Sequence, residues 1–552
     1  MKKIKIGILL NSFNIPLWEY ELLEELINSD YASINLIILK NNSYSQKTLL
    51  QKIKVNWKLL VYYMYVRLDA KVFSVTWDAF KPMNARELLR EAIVLKVKTK
   101  STKFSDRFYT EDIERIKEEK LDVLVRFGFG ILRGDILKSS KYGIWSYHHG
   151  DNKVNRGGPA GFWEVIENKG VTGSILQILT EDLDGGKVLV RSFSKTDEFS
   201  ITRNRNNYYW KSASFLPRKI KELHTLGEEA FFKKVNSDNI YPSFYSNRLY
   251  SKTNFGNLKM LQILTKHIIK MLRIKIYQAY FLEQWILLFS LKDTPSSAFW
   301  KFKKILPPMD RFYADPFVVS YNEKYYMFIE EYLYSSKKGH ISVIEMNADG
   351  TYTSPVKIID ESYHLSYPHI IKDNNEYFMI PESSKNKSID LYRCVEFPYK
   401  WEFHLRLMDE VIGMDATIFL YNNKYWLFCN IIEKEGSSSY DELYLFYSNQ
   451  LVTTDWVSHP LNPIVSDVRK ARPAGDIFIN NGKIIRPSQN SSNYYGYGMS
   501  MNEILILNEN EYLEKTLENI EPNWETNITR THTFNHTKGL SVIDAKYLRR
   551  KF

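Results

Sequence analysis

The sequence predicts a multidomain protein in which an N-terminal α/β doubly wound domain precedes a C-terminal all-β, five-bladed propeller. The chain has 552 residues, which is more than one ordinary domain holds. Apolar strands alternate with helical patterns over residues 1–110, as expected for a parallel sheet with crossover helices. From about residue 296 onward, short aromatic-rich strands recur roughly every 50–60 residues, the length of a four-stranded blade.

The N-terminal elements are predicted in order as two strands and two helices. The strands are Ile4–Leu10 and Ile34–Leu39, and the helices are Trp18–Ile27 and Asn84–Leu95. No Gly-x-Gly-x-x-Gly motif follows the first strand, so a nicotinamide dinucleotide site is not expected. The first residues are interpreted as a strand and not as a signal peptide, because the apolar run is short and lacks a small-residue cleavage site.

Two further strands, Val123–Arg126 and Gly143–Tyr147, are predicted to place His148 at the carboxyl edge of the sheet. Ligands bind at that edge in open α/β sheets. Glycine-rich turns with polar side chains follow in His148-His149-Gly150-Asp151, Arg156-Gly157-Gly158-Pro159 and Leu183-Asp184-Gly185-Gly186. Adjacent histidines on a strand point to opposite faces, so no metal site is expected here.

These blocks resemble the catalytic core of the formyltransferases that use 10-formyltetrahydrofolate, a family that includes methionyl-tRNA formyltransferase and sugar N-formyltransferases. The family shows Asn-x-His, Arg-Gly before a helix with Trp, a Thr-Gly strand and Leu-Asp-x-Gly. This chain has Ser146-Tyr147-His148, Arg156-Gly157 with Trp163, Thr172-Gly173 and Leu183-Asp184-Gly185-Gly186. The resemblance covers residues 1–225. It departs at Ser146, where the family has Asn, and at Gln177, where it often has His.

The resemblance implies transfer of a formyl group from 10-formyltetrahydrofolate to an amino group. His148 would stabilise the oxyanion or shuttle a proton, and Asp184 would orient His148 and take up the amine proton through a water. Ser146 stands in place of an oxyanion donor whose loss costs ~10²–10³ in rate, so activity depends on its hydroxyl. The residues expected to contact substrate are His149, Asp151, Arg156, Gly185 and Gly186. The implied acceptor is an amino sugar or a nucleotide sugar.

Residues 226–295 are predicted to form a linker with amphipathic helices. Lys and Arg interrupt the apolar residues between Leu258 and Leu291, so a transmembrane helix is not expected. This segment either connects the domains or lies on an anionic membrane surface. The net charge is +11, but the positive residues are widely spread, so nucleic acid is not an expected partner.

Two cysteines, Cys394 and Cys429, give no disulfide framework. Such cysteine usage fits a reducing compartment, and the expected location is the cytoplasm. The sequence leaves the oligomeric state open.

Internal repeats organise residues 296–552. Four copies begin near Asp315-Pro316, Tyr367-Pro368, Asp415-Ala416 and Gly475-Asp476, and a weaker copy surrounds His536 to Tyr547. The pattern resembles the five-bladed propellers of arabinanase-like glycosidases. It is also similar to the propeller module of glucosamine inositolphosphorylceramide transferases.

The candidate site residues of the repeats lie near the ends of predicted inner strands. They are Asp315, His369, Glu382, Asp415, Arg472 and Asp476, with Arg486 as a further ligand for sugar or phosphate. Glycoside cleavage needs two carboxylates across the scissile bond. Three interpretations follow. In the first, the propeller binds the saccharide for a formylating N-terminal domain. In the second, the propeller is itself a glycosidase or glycosyl-transferring enzyme, and the formyltransferase-like domain is accessory, whether active or inactive; in the third, the N-terminal domain has lost its chemistry and only binds a sugar or a partner.

Overall fold

The computed structural model describes residues 2–41, 57–101, 105–154, 156–182, 185–240, 249–250 and 256–551. The chain forms two compact units. Unit 1 comprises Met1–Ile268 with Glu433–Ser438, and unit 2 comprises Ile269–Ile432 with Ser439–Phe552. The boundaries at residues 225 and 296 stay predictions, and regular helix and strand are present within the predicted linker.

Unit 1 mixes strands and helices. Its strands are β1 (Ile4–Leu10), β2 (Asn14–Pro16), β3 (Ala32–Lys40), β4 (Pro82–Asn84), β5 (Ile93–Val97), β6 (Thr99–Ser101), β7 (Ser105–Phe108), β8 (Val123–Arg126), β9 (Ile131–Leu132), β10 (Ile144–His148), β11 (Arg156–Gly157), β12 (Val171–Ile178), β13 (Lys187–Lys195) and β14 (Leu249–Tyr250). Its helices are α1 (Leu17–Ile27), α2 (Leu60–Val72), α3 (Thr110–Glu118), α4 (Phe162–Ile166), α5 (Ile201–Ala213), α6 (Phe215–Asp238) and α7 (Asn257–Tyr280), the last of which continues past Ile268.

A seven-stranded sheet forms the centre of unit 1, in the order β13-β12-β10-β8-β1-β3-β5. Strands β1, β3, β5, β8 and β10 are parallel, whereas β12 and β13 add antiparallel. Both faces are buried, since Ile8 packs in one cluster with Trp18 of α1 and Leu9 packs in another with Ile113 of α3. Two-sided burial explains the apolar runs within these strands, such as Ile8–Leu10 and Leu36–Leu39. The predicted N-terminal α/β region is therefore confirmed.

One predicted helix of unit 1 is wrong. Residues Asn84–Leu95 were expected to be helical, but β4 ends at Asn84 and β5 begins at Ile93. Strand β5 pairs in parallel with β3 and buries Leu95. The free energy gained when β5 pairs with β3 and buries its apolar side chains outweighs the helical preference of the local sequence. By contrast, Ile4–Leu10 and Val123–Arg126 are strands with the predicted bounds.

The predicted linker contains the end of α6, helix α7 and a strand, β15 (Phe281–Ser290). Strand β15 pairs antiparallel with β36 (Leu540–Arg550), from Phe281 opposite Arg550 to Ser290 opposite Ser541. The amphipathic helices expected between Leu258 and Leu291 therefore end at Tyr280. The residues that follow form a strand, because the run Trp285–Phe289 is continuously apolar and buried on both faces. Among the described helices, none combines the length and the apolarity that crossing a bilayer requires.

Unit 2 is built from antiparallel strands. They are β15, β16 (Lys303–Ile305), β17 (Arg311–Tyr321), β18 (Lys324–Leu333), β19 (Lys338–Met346), β20 (Val356–Ile359), β21 (Ser366–Asp373), β22 (Glu376–Glu382), β23 (Ser388–Glu396), β24 (Lys400–Asp409), β25 (Gly413–Tyr421), β26 (Lys424–Ile431), β27 (Glu442–Ser448), β28 (Val457–Ser458), β29 (Val465–Ser466), β30 (Phe478–Asn480), β31 (Lys483–Asn490), β32 (Gly498–Leu507), β33 (Tyr512–Ile520), β34 (Ile528–Arg530), β35 (Phe534–Thr537) and β36.

These strands form successive sheets that follow the sequence repeats. Their orders are β17-β18-β19-β20, β21-β22-β23-β24, β25-β26-β27-β28 with β29 on β27, β30-β31-β32-β33, and β16-β15-β36-β34 with β35 on β36. Each predicted repeat thus corresponds to one sheet of unit 2. The last sheet joins strands from both ends of the unit.

Candidate functional site

The first strands of three consecutive sheets, β17, β21 and β25, each contain a bulge. Within the bulges, Asp315, Tyr367 and Asp415 have positive φ angles of 49°, 45° and 52°. Residues other than glycine rarely adopt this conformation, and it persists only where the surroundings enforce it. All three side chains are buried, and each hydrogen-bonds to a different repeat.

Arg472 forms one charged network with Asp415 and Glu382. Its Nε and Nη2 donate to the two oxygens of Asp415 at 2.5 and 3.1 Å, and Nη2 also donates to Glu382 Oε2 at 3.0 Å. Gln489 Nε2 donates to Asp415 Oδ2 at 2.7 Å. The side chains of Arg472 and Asp415 are 10% and 2% exposed. Burial raises the pKa of Asp415 to about 7, although the Arg472 guanidinium opposes this rise.

Asp544 of strand β36 is the centre of a second hydrogen-bonded network. Its carboxylate accepts backbone N–H groups of Asp315, His532 and Thr533, each at 3.0 Å. His532 Nδ1 lies 2.6 Å from Asp544 Oδ2, and the Thr533 hydroxyl donates to Asp315 at 2.7 Å. Burial lowers the pKa of His532, but the carboxylates of Asp544 and Asp315 outweigh it, so the pKa is raised overall. Burial raises the pKa of Asp315 to about 6.

The charges of both networks act on Glu330 of strand β18. Burial raises its pKa well above the usual value, and the negative charges of Asp315 and Glu382 add to the rise. Tyr495 is close to both networks as well, with its ring 5.5 Å from the Arg472 guanidinium and 5.1 Å from the His532 ring. We call the following seven residues the central polar cluster: Asp315, Glu330, Glu382, Asp415, Arg472, His532 and Asp544.

The central polar cluster can support acid–base chemistry. A carboxyl group with a pKa near 7, such as Asp415, can donate a proton at neutral pH, and an ionised neighbour can accept one. Asp315, His532 and Asp544 also place ligand atoms within 4.8 Å of one another. Oxygen and imidazole donors suit several divalent cations, but His532 and Asp544 already contact each other directly.

The structure brings Asp315, Glu382, Asp415 and Arg472 together, and it places His369 and Asp476 as a separate pair. His369 Nδ1 lies 2.9 Å from Asp476 Oδ1, and the Ile418 N–H donates to His369 Nε2 at 3.0 Å. Arg486 lies elsewhere, since it pairs with Glu514 at 2.8 Å and is 1% exposed. That ion pair is part of the interior of the β30–β33 sheet.

Sequence reasoning missed Glu330, His532 and Asp544. Asp544 interrupts the apolar run Leu540–Ala545 of β36, and Glu330 ends the run Met327–Ile329 of β18. A carboxylate inside a buried strand is rare unless it is paired, so both interruptions were usable signals. His532 carried no such signal, because it lies in the irregular segment before β35.

In unit 1, His148 lies at the end of β10, as predicted. Its neighbours Ser146 and His149 are held in place by contacts with other residues of unit 1. Ser146 is buried, and its Oγ accepts a hydrogen bond from Arg126 Nε at 3.0 Å. The His149 ring stacks on Tyr209 with centroids 3.7 Å apart. Burial, with the nearby His148 and Arg205, lowers the pKa of His149 well below its usual value.

Asp151 and Gly186 have structural roles. Asp151 Oδ1 accepts from Arg191 Nη1 at 2.6 Å. A Cβ added at Gly173 would lie 2.7 Å from Asp151 Cβ, which accounts for the glycine in the Thr-Gly strand. A Cβ at Gly186 would lie 2.1 Å from the Ile178 carbonyl oxygen, so this glycine allows two backbone segments to approach.

The remaining candidates of unit 1 are only partly described. Arg156 begins the short strand β11, and Gly185 follows the described segment that ends at residue 182. Asp184 and the side chain of Arg156 lie outside the described residues. The pairing of His148 with Asp184 therefore stays a prediction.

Comparison with known proteins gives a family match in unit 2. Residues 306–543 match the family model described as glucosamine inositolphosphorylceramide transferase 1, N-terminal. Every member of the central polar cluster except Asp544 lies within the match. The glucosamine inositolphosphorylceramide transferase 1 of Oryza sativa subsp. japonica is 34% identical over 206 residues, which are 37% of this chain and 27% of that protein. The chain thus spans about a quarter of the length of this relative.

Two solved structures are more distant. Zg3597, a family 117 glycoside hydrolase from Zobellia galactanivorans, is 10% identical with a TM-score of 0.33 and covers 48% of this chain and 90% of its own. Glycinamide ribonucleotide transformylase 1 from Symbiobacterium toebii is 12% identical with a TM-score of 0.27 and covers 41% of this chain and 92% of its own. Both TM-scores lie below the range in which a shared fold is inferred.

Proposed function

We propose that this protein is a carbohydrate-active transferase of glycan assembly, and that unit 2 binds and processes a sugar-bearing substrate at the central polar cluster. The observation that carries this proposal is the match of residues 306–543 to the transferase family, because it contains almost the whole cluster. The substrate class follows from the name of the relatives: a glucosamine-bearing, inositol-phosphate-containing glycolipid or its sugar precursor.

The five sheets of unit 2 are, in this proposal, the blades of a propeller. Hydrogen bonds between separate repeats support it: Gly475 N–H donates to the Tyr367 hydroxyl at 2.8 Å, and Thr533 donates to Asp315 at 2.7 Å. Closure of one sheet by β15 and β36 supports it as well. Side chains from inner strands meet at the axis of a propeller, where ligands commonly bind.

The charge of the central polar cluster fits an amino sugar. Apart from Glu330, whose pKa is raised by burial, four carboxyl groups face only one guanidinium and one imidazole in the described cluster. A protonated amino group would relieve part of that negative excess. Asp415 and Asp315, with pKa values of about 7 and about 6, would exchange protons with the reacting sugar oxygens at neutral pH.

Calorimetric titration of the full chain with glucosaminyl-inositol phosphate tests this proposal. We expect saturable binding that falls at least about tenfold in Asp415→Asn, because a buried charge partner is lost. Asp390→Asn is the matched control, since Asp390 is equally buried and paired with Arg406 but lies outside the cluster. Absence of binding by the folded wild type, or an equal loss in both variants, would contradict the proposal.

Formyl transfer in unit 1 is the second candidate. One observation favours it: Ser146 and Arg126 are hydrogen-bonded at the carboxyl ends of two parallel strands, next to His148. This edge is the usual ligand site of such sheets. His148 would act on the oxyanion, Asp184 on the amine proton, and 10-formyltetrahydrofolate would be the donor, with an amino sugar or nucleotide sugar as acceptor. The two free cysteines are compatible with the cytoplasmic location that this donor suggests.

Titration with 5-formyltetrahydrofolate, a stable analogue of the donor, tests the second candidate. We expect binding that weakens about tenfold or more in His148→Ala and stays unchanged in His224→Ala, whose side chain lies on α6 beside Tyr31. If the folded wild type binds no folate, unit 1 has no one-carbon role, and the proposal for unit 2 is unaffected.

A further inference from the structure

Helix α2 of unit 1 exposes an apolar face. Leu60, Met64, Leu68 and Val72 are 53% to 62% exposed. They are spaced four residues apart, so they lie along one side of the helix. The opposite side is buried through Tyr62 and Asp69. Large apolar side chains grouped in this way on a surface indicate an interaction site.

Helix α7 has three distinct stripes. Met260, Leu264 and His267 form the buried stripe. An apolar stripe is exposed to solvent, with exposed fractions of 52% to 73%, and consists of Leu258, Leu261, Ile268, Leu272 and Ile276. These residues recur at three-, four- and seven-residue intervals, which keeps them on one side of the helix.

Basic residues accompany the apolar stripe. Lys259, Lys266, Lys270 and Arg273 recur at the same intervals, so they form a cationic stripe beside it. Helix α7 contains no Asp or Glu. Helix α2 has one acid, Asp69, which is 3% exposed and accepts hydrogen bonds from the Thr202 N–H and the Ser200 hydroxyl.

The two helices are fixed to each other within unit 1. Asn257 at the start of α7 donates to the Trp57 carbonyl at 2.7 Å and accepts from the Val61 N–H at 3.2 Å. Met260 and Leu264 pack in the same cluster as Tyr62 of α2. The exposed faces of α2 and of the part of α7 up to Ile268 therefore belong to one supported surface of unit 1.

We propose that the exposed face of α2 and that of α7 up to Ile268 dock unit 1 onto an anionic lipid bilayer, with α7 lying in the plane of the interface. The apolar and cationic stripes continue past Ile268 along the same helix. Apolar side chains would enter the boundary between head groups and acyl chains, while the cationic stripe would contact lipid phosphates. A second copy of this chain fits less well, because two cationic stripes would be brought together.

Co-sedimentation of the full-length protein with phosphatidylcholine vesicles, with and without phosphatidylserine, tests this proposal. We expect binding to the vesicles that contain phosphatidylserine and about fivefold weaker binding for each charge removed in Lys266→Gln and Arg273→Gln. The pair Leu261→Gln and Ile268→Gln should weaken binding about tenfold or more. Leu420→Gln is the control, since Leu420 is 54% exposed on a strand of unit 2.

The proposal is overturned if the wild type does not sediment with anionic vesicles, or if Leu420→Gln weakens binding as much as the changes on α7. It is also overturned if analytical ultracentrifugation shows a dimer that the α7 changes convert to monomer, because the partner would then be a second copy. Circular dichroism of each variant excludes loss of folding as the cause of weaker binding.

Discussion

At pH 8, where Asp415 with its pKa of about 7 is ionised in the wild type, Arg472→Met should lower the free energy of unfolding of unit 2 by about 3–5 kcal/mol. The change leaves the buried Asp415 and its neighbour Glu382 without their cation. Three donated hydrogen bonds disappear with the guanidinium. Urea unfolding, followed by tryptophan fluorescence, should show a lower midpoint for the variant than for the wild type. The double variant Arg472→Met with Asp415→Asn should recover part of the loss, since it removes the unpaired charge as well.

Arg406→Met is the matched control for this experiment. Arg406 also pairs with a buried aspartate, Asp390, at 2.9 Å, but its side chain is 40% exposed. Water can replace part of that interaction, so the loss should be clearly smaller than the loss at Arg472. Equal losses at Arg472 and Arg406 would show that the central polar cluster contributes no special stability.

The stability of unit 2 should fall as pH rises from about 4.5 to 7. Asp415 has a pKa of about 7 in the folded protein, and an unfolded aspartate titrates near 4. Between these values the folded state holds a proton that the unfolded state has lost, so raising the pH favours unfolding, by up to about 1.4 kcal/mol per pH unit. Glu330, whose pKa is also raised by burial, acts in the same direction.

Urea unfolding at several pH values measures this dependence, and Asp415→Asn isolates the contribution of one group. The variant should show a flatter dependence, because asparagine does not titrate. A wild-type stability that increases from pH 4.5 to 7 would mean that the cluster carboxyl groups are ionised throughout that range.

The N-terminal architecture could be predicted because its signals are local. The predominantly apolar segments Ile4–Leu10 and Val123–Arg126 are predicted as buried strands, and the structure has them with the same bounds. Residues Asn84–Leu95 could not be assigned locally. Their apolar spacing fits a helix, and only the partner strand β3, distant in sequence, makes Ile93–Val97 a strand.

Four of the seven residues of the central polar cluster could be predicted from the sequence. Asp315 and Asp415 stand at equivalent points of the repeats, so the repeat pattern itself identified them. The partners of Asp315, which are Asp544 and His532, lie in the most divergent repeat, where the pattern is weakest. The function of a buried acid depends on which distant residue faces it, and repeat spacing does not contain that information.

The pairing of β15 with β36 has a consequence for biosynthesis. The ribosome makes β15 before the other strands of unit 2 and β36 after them. Until residues 540–550 emerge, the nascent chain carries an apolar strand with an open edge, which invites aggregation or chaperone binding. A premature stop codon before β36 would remove Asp544 together with this strand. The truncated product would lose one carboxylate of the central polar cluster and the pairing that joins the two ends of unit 2.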